Sequence, residues 1–102
     1  MVIKYNINIS EEAIVDNLNR MTNQIFKLLP LREEESDWLT PLRNLILEIS
    51  GMERLVDNSL LFSLLCKLEM LITLTDKDDF LTFRKLIFEC LNLLKQIKED
   101  FE

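Results

Sequence analysis

A chain of 102 residues with 12 basic and 18 acidic residues, and so a net charge of −6, fits a single domain. Hydrophobic residues make up 48% of it, which is too many for a disordered chain. The acidic balance argues against direct binding to nucleic acid or to anionic membranes, because both are bound through basic surfaces.

The N-terminal residues 2–9 alternate between apolar and polar side chains, with Ile3, Tyr5, Ile7 and Ile9 on one side. A period of two predicts a short strand or an extended arm over residues 1–9. A single strand cannot pair its own backbone groups. The arm must therefore pack on its own domain, pair with a second copy, or add to a partner's sheet, and we expect the first.

Four amphipathic segments follow within one helical domain, residues 1–102. We expect helices at about residues 11–29, 37–57, 59–75 and 77–100. Ser10 is a suitable N-cap for the first helix, and Pro30 is expected to end it. Gly51 lies inside the second helix and predicts a bend or a close helix–helix approach. Capping residues around Asn58 predict a break between the second and third helices, with a single long helix through residue 58 as the alternative, because no proline or glycine enforces the turn.

Four helices with short connections predict an all-α fold, an up-down four-helix bundle with a short N-terminal extended arm or strand. In that topology, the connections between helices 1 and 2 and between helices 3 and 4 lie at the same end. Seven acidic residues would share it, and we call them the acidic end: Glu33, Glu34, Glu35, Asp37, Asp76, Asp78 and Asp79.

The acidic end has two explanations. Acidic side chains gather at helix N-termini because the helix dipole stabilises them there. A surplus of carboxylates also steers and docks a basic surface of a partner protein. We therefore treat the acidic end as a candidate partner-binding site.

The third predicted helix is apolar almost all round. After its core positions are filled, four leucines are expected to remain as an uncovered apolar surface: Leu60, Leu64, Leu71 and Leu74. Leftover apolar surface of this kind favours a homodimer or a docked partner.

Little in the chain points to catalysis. The chain contains no histidine and one glycine, so the commonest general base and a glycine-rich phosphate loop are both excluded. Cys66 and Cys90 lie among apolar residues, without spacing typical of a metal site or a disulfide. We expect no catalytic residue, no cofactor and no metal.

One enzymatic alternative rests on acidic residues. Glu33, Glu34 and Asp37 form Glu-Glu-x-x-Asp, and Glu53 and Asp57 follow. This pattern resembles, in outline, the MazG-type all-helical nucleotide pyrophosphohydrolases, in which such carboxylates hold magnesium against phosphates. The second pair is spaced by four residues here, whereas that family uses three. The resemblance implies a magnesium-dependent nucleotide hydrolase.

A broader resemblance covers residues 17–97 and is carried by NQIFKLLPLREEESDW, LILEISGMERL, LLFSLLCKLEMLITL and DDFLTFRKLIFECLNLLKQI. These segments look like those of small all-helical proteins encoded by temperate phages and bacterial mobile elements. The resemblance implies a bacterial cytoplasmic location and an accessory role, since such proteins are often inhibitors or adaptors. It carries no catalytic motif.

Together these observations predict a non-enzymatic protein that binds one other protein and modulates it, with defence systems of the host as one target. We expect a homodimer and a protein partner, with neither nucleic acid nor membrane bound directly. The alternatives are the magnesium-dependent hydrolase and a structural or assembly component of a phage particle.

Overall fold

A computed structural model of the chain describes residues 2–3 and 10–101, with residues 2, 3 and 77 described by their backbone alone. The helices are α1 (Glu11–Glu33), α2 (Leu39–Leu55), α3 (Ser59–Ile72) and α4 (Phe80–Glu99), and a 3₁₀ turn (Lys77–Asp79) leads into α4. The predicted all-α class with four helices is confirmed.

Besides the helices, the described part of the chain contains one pair of strands, each two residues long. Strand β1 (Val2–Ile3) pairs antiparallel with β2 (Val56–Asp57), which occupies the connection between α2 and α3. This connection confirms the predicted break between the second and third helices. The remainder of the predicted arm, residues 4–9, lies outside the described residues.

Side-chain caps fix the starts of two helices. Ser10 Oγ accepts a hydrogen bond from the Ala13 amide at 3.1 Å, as predicted for the start of α1. Asn58 Oδ1 accepts from the Leu60 amide at 2.9 Å, and Asn58 Nδ2 donates to Asp100 Oδ2, also at 2.9 Å. Asn58 therefore both starts α3 and links it to the residue that follows α4.

Helix α1 continues through Pro30 to Glu33, so the predicted stop at Pro30 is wrong. Proline lacks the amide that would bond four residues back, but here the loss falls in the last turn of the helix. The extra turn carries Arg32 to a buried position between aromatic rings. Tertiary contacts of Arg32 offset the local cost of the proline.

The four helices surround one core. α1 packs against α2 and α4, and α3 also packs against α2 and α4, so the helices form a closed ring. Each helix contributes a stripe at three- and four-residue spacing. Residues exposed by no more than 1% occur on all four helices, among them Leu18, Ile25, Leu42, Ile49, Leu61, Leu68, Phe83 and Ile87.

The predicted apolar surface on α3 is wrong for two of its four leucines. Leu64 and Leu71 are fully buried, and Leu60 and Leu74 are half-buried against the core. The ring of helices covers a wider arc of α3 than the sequence pattern indicated, because α2 and α4 pack on both of its sides. The exposed large apolar residues of α3 are instead Phe62 (60% exposed) and Met70 (53%).

Gly51 does not mark a close helix–helix approach, which is a third correction. A Cβ added at Gly51 would have no atom of another helix within 4 Å. Helix α2 runs continuously through this position and ends at Leu55. The cost of glycine in a helix, about 1 kcal/mol relative to alanine, is therefore not offset by a contact.

Alanine substitutions at two leucines test which residues form the core. We expect Leu64→Ala on α3 to lower the free energy of unfolding by about 3 kcal/mol, because it leaves a cavity at a fully buried site. We expect the matched change Leu47→Ala on α2 to lower it by less than about 1 kcal/mol, since Leu47 is 71% exposed. Urea denaturation followed by circular dichroism measures both values, and equal losses would contradict this assignment of the core.

Candidate functional site

The turn that ends α1 shapes the first half of the acidic end. The Ser36 amide donates to the Leu31 carbonyl at 2.9 Å and the Glu35 amide to the Arg32 carbonyl at 3.1 Å, which is the pattern of a Schellman motif. Glu35 takes the left-handed position of that motif, with φ of 56°, where glycine is usual. A side chain in this conformation costs about 1–2 kcal/mol, so the turn keeps an acidic residue where glycine would be easier to accommodate.

Asp37 has a structural role as the cap of α2. Its Oδ1 accepts a hydrogen bond from the Thr40 amide at 3.1 Å, whereas Trp38, the residue directly before the helix, makes no side-chain capping bond. Hydrogen bonding to the Thr40 side chain and then to its backbone lowers the pKa of Asp37. Helix capping therefore accounts for this one carboxylate of the acidic end.

Arg32 is a buried cation at the centre of this end of the molecule, with 8% of its surface exposed. Its Nη2 donates to the Asp76 carbonyl at 2.7 Å. The guanidinium carbon lies 4.5 Å from the centroid of the Phe83 ring and 5.2 Å from that of Trp38. The two rings meet edge to face, with centroids 5.1 Å apart. Arg32 thus links α1 to the α1–α2 connection, to the α3–α4 connection and to α4.

A cleft of about 500 Å³ opens beside Arg32. It is lined by two aromatic residues, two hydroxyl residues, one cation and two carboxylates: Trp38, Phe80, Ser36, Thr75, Arg32, Glu33 and Glu35. The two aromatic residues provide apolar contact area, and the two glutamates add negative charge to the lining. Such a cleft is suited to a side chain or short segment with an apolar stem and a positive end.

The structure brings the two predicted halves of the acidic end together. The Arg32–Asp76 hydrogen bond and the shared lining of the cleft place the end of α1 beside the α3–α4 connection. Six of the carboxylate residues are exposed and one, Asp79, is half-buried: the exposed ones are Glu33, Glu34, Glu35, Asp37, Asp76 and Asp78. Whether this end binds a partner stays a prediction.

Sequence reasoning missed the aromatic part of the site. Neither Arg32 nor Trp38 is among the candidate site residues that the sequence predicts. The available signal was an arginine two residues after a proline and six residues before a tryptophan, followed directly by three glutamates. The contact of Arg32 with Phe83, on a distant helix, has no signal in the sequence.

The five acidic residues of the hydrolase alternative do not come together. Glu33, Glu34 and Asp37 lie before α2, whereas Glu53 and Asp57 lie at or beyond its last turns. Sixteen residues of nearly continuous helix separate Asp37 from Glu53, or roughly 24 Å. Over residues 10–101 no group of three or more histidine, cysteine, aspartate or glutamate residues has the arrangement of a metal site.

The two cysteines occupy different environments. Cys90 is fully buried and Cys66 is half-buried. Burial raises the pKa of the Cys90 thiol to about 12, with Lys67 opposing the shift. The Cys90 thiol therefore stays protonated at neutral pH, in the state that is a poor nucleophile.

Comparison with protein-family models, with curated proteins and with solved structures finds no match for this chain. Among the helices of the described residues, none combines the length and the apolar character needed to cross a membrane.

Proposed function

We propose that this chain is a non-enzymatic accessory protein that binds a basic surface of one other protein through its acidic end and so modulates that protein. In the version we favour, a phage or mobile element encodes it and it acts in the bacterial cytoplasm on a host protein, such as a component of a defence system. The observation that carries the proposal is the aromatic cleft of about 500 Å³, which Glu33 and Glu35 of the acidic end help to line.

Charge and shape both support a basic partner. The net charge of −6 and the clustered carboxylates would speed the approach of a positively charged surface. Trp38 and Phe80 line the cleft and offer rings on which an arginine or the stem of a lysine can stack. Aromatic residues in a pocket ringed by charge are typical of the energetic centre of protein–protein interfaces.

The proposal includes the finer architecture of the domain. We infer an up-down-up-down order of the helices, and the hydrogen bond from Arg32 to the Asp76 carbonyl supports it by linking the connections expected at one end. We also infer that the N-terminal arm packs along its own domain, which the antiparallel pairing of Val2–Ile3 with Val56–Asp57 supports.

We further propose that the chain forms a homodimer through the outer face of α3. Phe62, Cys66 and Met70 follow one another at four-residue spacing, and Phe62 and Met70 are more than half exposed. Glu69 is the charged residue beside this row, so two copies of a protein with net charge −6 can approach here with little repulsion.

A charge-neutralised variant tests the acidic end. Glu33→Gln, Glu34→Gln and Asp78→Asn together remove three carboxylates, all exposed. We expect the wild-type chain to retain a stoichiometric protein partner from a lysate of its bacterial host at about 50 mM salt, where charge is weakly screened. We expect the triple variant to retain that partner at least about fivefold less.

The matched control removes three exposed carboxylates away from this end, in Glu11→Gln, Glu12→Gln and Glu99→Gln. It carries the same net charge as the triple variant and should retain the partner as the wild type does. Quantitative mass spectrometry of the bound fraction gives both ratios. The absence of any stoichiometric partner, or equal losses in the two variants, would contradict the proposal.

Sedimentation velocity at micromolar concentration tests the dimer. We expect the wild-type chain to sediment at twice its mass of 12.1 kDa. Phe62→Glu should shift it to the monomer, because it places a charge within the proposed contact. A wild-type chain that sediments as a 12.1 kDa monomer would refute the dimer.

A further inference from the structure

The Arg32 guanidinium has hydrogen-bond donors that the chain itself does not use. A guanidinium offers several N–H donors. The Nη2 atom of Arg32 donates to the Asp76 carbonyl at 2.7 Å, and the other contacts of the guanidinium are with the rings of Trp38 and Phe83. Among the described residues, no carboxylate forms an ion pair with this cation, although seven acidic residues lie at the same end of the molecule.

The unused donors of Arg32 face the aromatic cleft. Arg32 is buried, with 8% of its surface exposed. Within the described part of the chain, no buried side-chain nitrogen or oxygen lacks a hydrogen-bond partner. The Arg32 nitrogens that have no acceptor in the protein are therefore in contact with solvent. Since Arg32 lines the cleft, that solvent is the water of the cleft.

A buried cation with unused donors is suited to bind an anionic group. Burial of a cation is costly unless it is paired, and a ligand that supplies the missing charge removes part of that cost. Hydrogen bonds from a guanidinium to a carboxylate are stronger than those to a neutral carbonyl, and the parallel N–H groups match the two carboxylate oxygens. We therefore expect the carboxylate of a ligand at the Arg32 side of the cleft.

The other charges of the cleft disfavour a simple anion. Glu33 and Glu35 line the cleft together with Arg32, and they would repel a ligand that carries negative charge alone. A ligand with a cation close to its carboxylate complements both signs of charge in the lining. The cleft is therefore suited to a group that carries one charge of each sign.

We propose that the cleft binds the C-terminal residue of the partner protein, an arginine or a lysine with its free carboxylate. This proposal rests on the proposed function and specifies which part of the basic partner enters the cleft. The terminal carboxylate would bind Arg32, and the side-chain cation would face Glu33 and Glu35. The apolar stem would pack on Trp38 and Phe80. A volume of about 500 Å³ is within the range of ligand pockets.

Other occupants complement the cleft less completely. An arginine within a partner's chain brings a cation but no carboxylate, so the Arg32 donors would have at most a neutral carbonyl as acceptor. A mononucleotide can stack on Trp38 or Phe80, but it brings negative charge and no cation for the two glutamates. Free arginine carries both charges, and competition separates it from a C-terminal residue.

Three synthetic peptides test the proposal. They share one neutral sequence, carry a fluorescent label that blocks the N-terminus, and differ at the last residue: arginine with a free carboxylate, arginine as the amide, and leucine with a free carboxylate. By fluorescence anisotropy at about 50 mM salt, we expect the arginine acid to bind the full chain with a Kd on the order of 100 μM. The other two peptides should bind at least about tenfold more weakly.

The comparison of acid with amide opposes non-specific electrostatics. The arginine amide is more positive than the arginine acid, so general attraction to a chain of net charge −6 would favour the amide. Tighter binding of the acid therefore reports recognition of the carboxylate. This comparison uses the wild-type chain and does not depend on the folding of any variant.

Two substitutions with the same change of charge test the cation side of the cleft. Glu33 lines the cleft, whereas its exposed neighbour Glu34 does not. Glu33→Gln should weaken binding of the arginine acid by at least about threefold, and the matched control Glu34→Gln should leave it unchanged. Arg32→Gln, checked for folding by circular dichroism, should remove the preference for the acid over the amide.

The outcomes distinguish failure of this proposal from failure of the proposed function. Equal binding of the arginine acid and its amide, no binding of the acid, or equal effects of Glu33→Gln and Glu34→Gln would overturn the C-terminal proposal. A partner that the wild type retains from the lysate and the triple variant loses would still support the proposed function.

Competition identifies a wrong occupant. Unlabelled arginine acid peptide should displace the labelled one, whereas free arginine and adenosine monophosphate should each compete at least about tenfold less well. Free arginine that competes as well as the peptide would overturn the proposal in favour of an amino-acid ligand. Adenosine monophosphate that does so would overturn it in favour of a nucleotide.

Discussion

The arrangement of this molecule depends on one buried cation, the Arg32 guanidinium. Removing a cation from water is costly unless other groups replace its solvation. Here the replacement comes from two aromatic faces, Trp38 and Phe83, and from the carbonyl oxygen of Asp76. These partners come from the α1–α2 connection, α4 and the α3–α4 connection. Satisfying one guanidinium therefore draws three separate segments together, and α1 continues past Pro30 to deliver it.

The acidic end follows from that contact. Once the two connections meet at Arg32, the carboxylates they carry must share a small region of surface, and like charges at short distance repel. Glu35 adds a second cost by occupying a left-handed position. Asp37 is explained as a cap, but capping does not account for Glu33 and Glu34 at the C-terminal end of a helix, where the dipole disfavours acids. A docking role for a basic partner gives these residues a reason to be there.

Much of the fold could be predicted because the signals are local. The cap at Ser10, the apolar stripes and the break near Asn58 each depend on residues close in sequence. The errors have a different origin. Pro30 is tolerated because of contacts made by Arg32, and Leu64 and Leu71 are buried because two helices pack on both sides of α3. Gly51 predicted a close helix–helix approach, but the space around it is open.

The candidate sites likewise contain one part that local sequence signals predict and another part that depends on tertiary packing. The carboxylates of the acidic end could be selected from charge and expected topology alone. The aromatic cleft could not, because Phe83 reaches Arg32 only after α4 packs against α1.

The most direct test of this account is the unfolding of Arg32→Lys. This change keeps the positive charge but removes the planar group that stacks on two rings and donates to the Asp76 carbonyl. We predict that it lowers the free energy of unfolding by about 1–2 kcal/mol. Trp38, the single tryptophan, should report looser packing as a red shift of the native fluorescence. The control Arg84→Lys, at an exposed cation–π contact, should change neither value appreciably. An Arg32→Lys protein with the stability and fluorescence of the wild type would contradict the central role of Arg32.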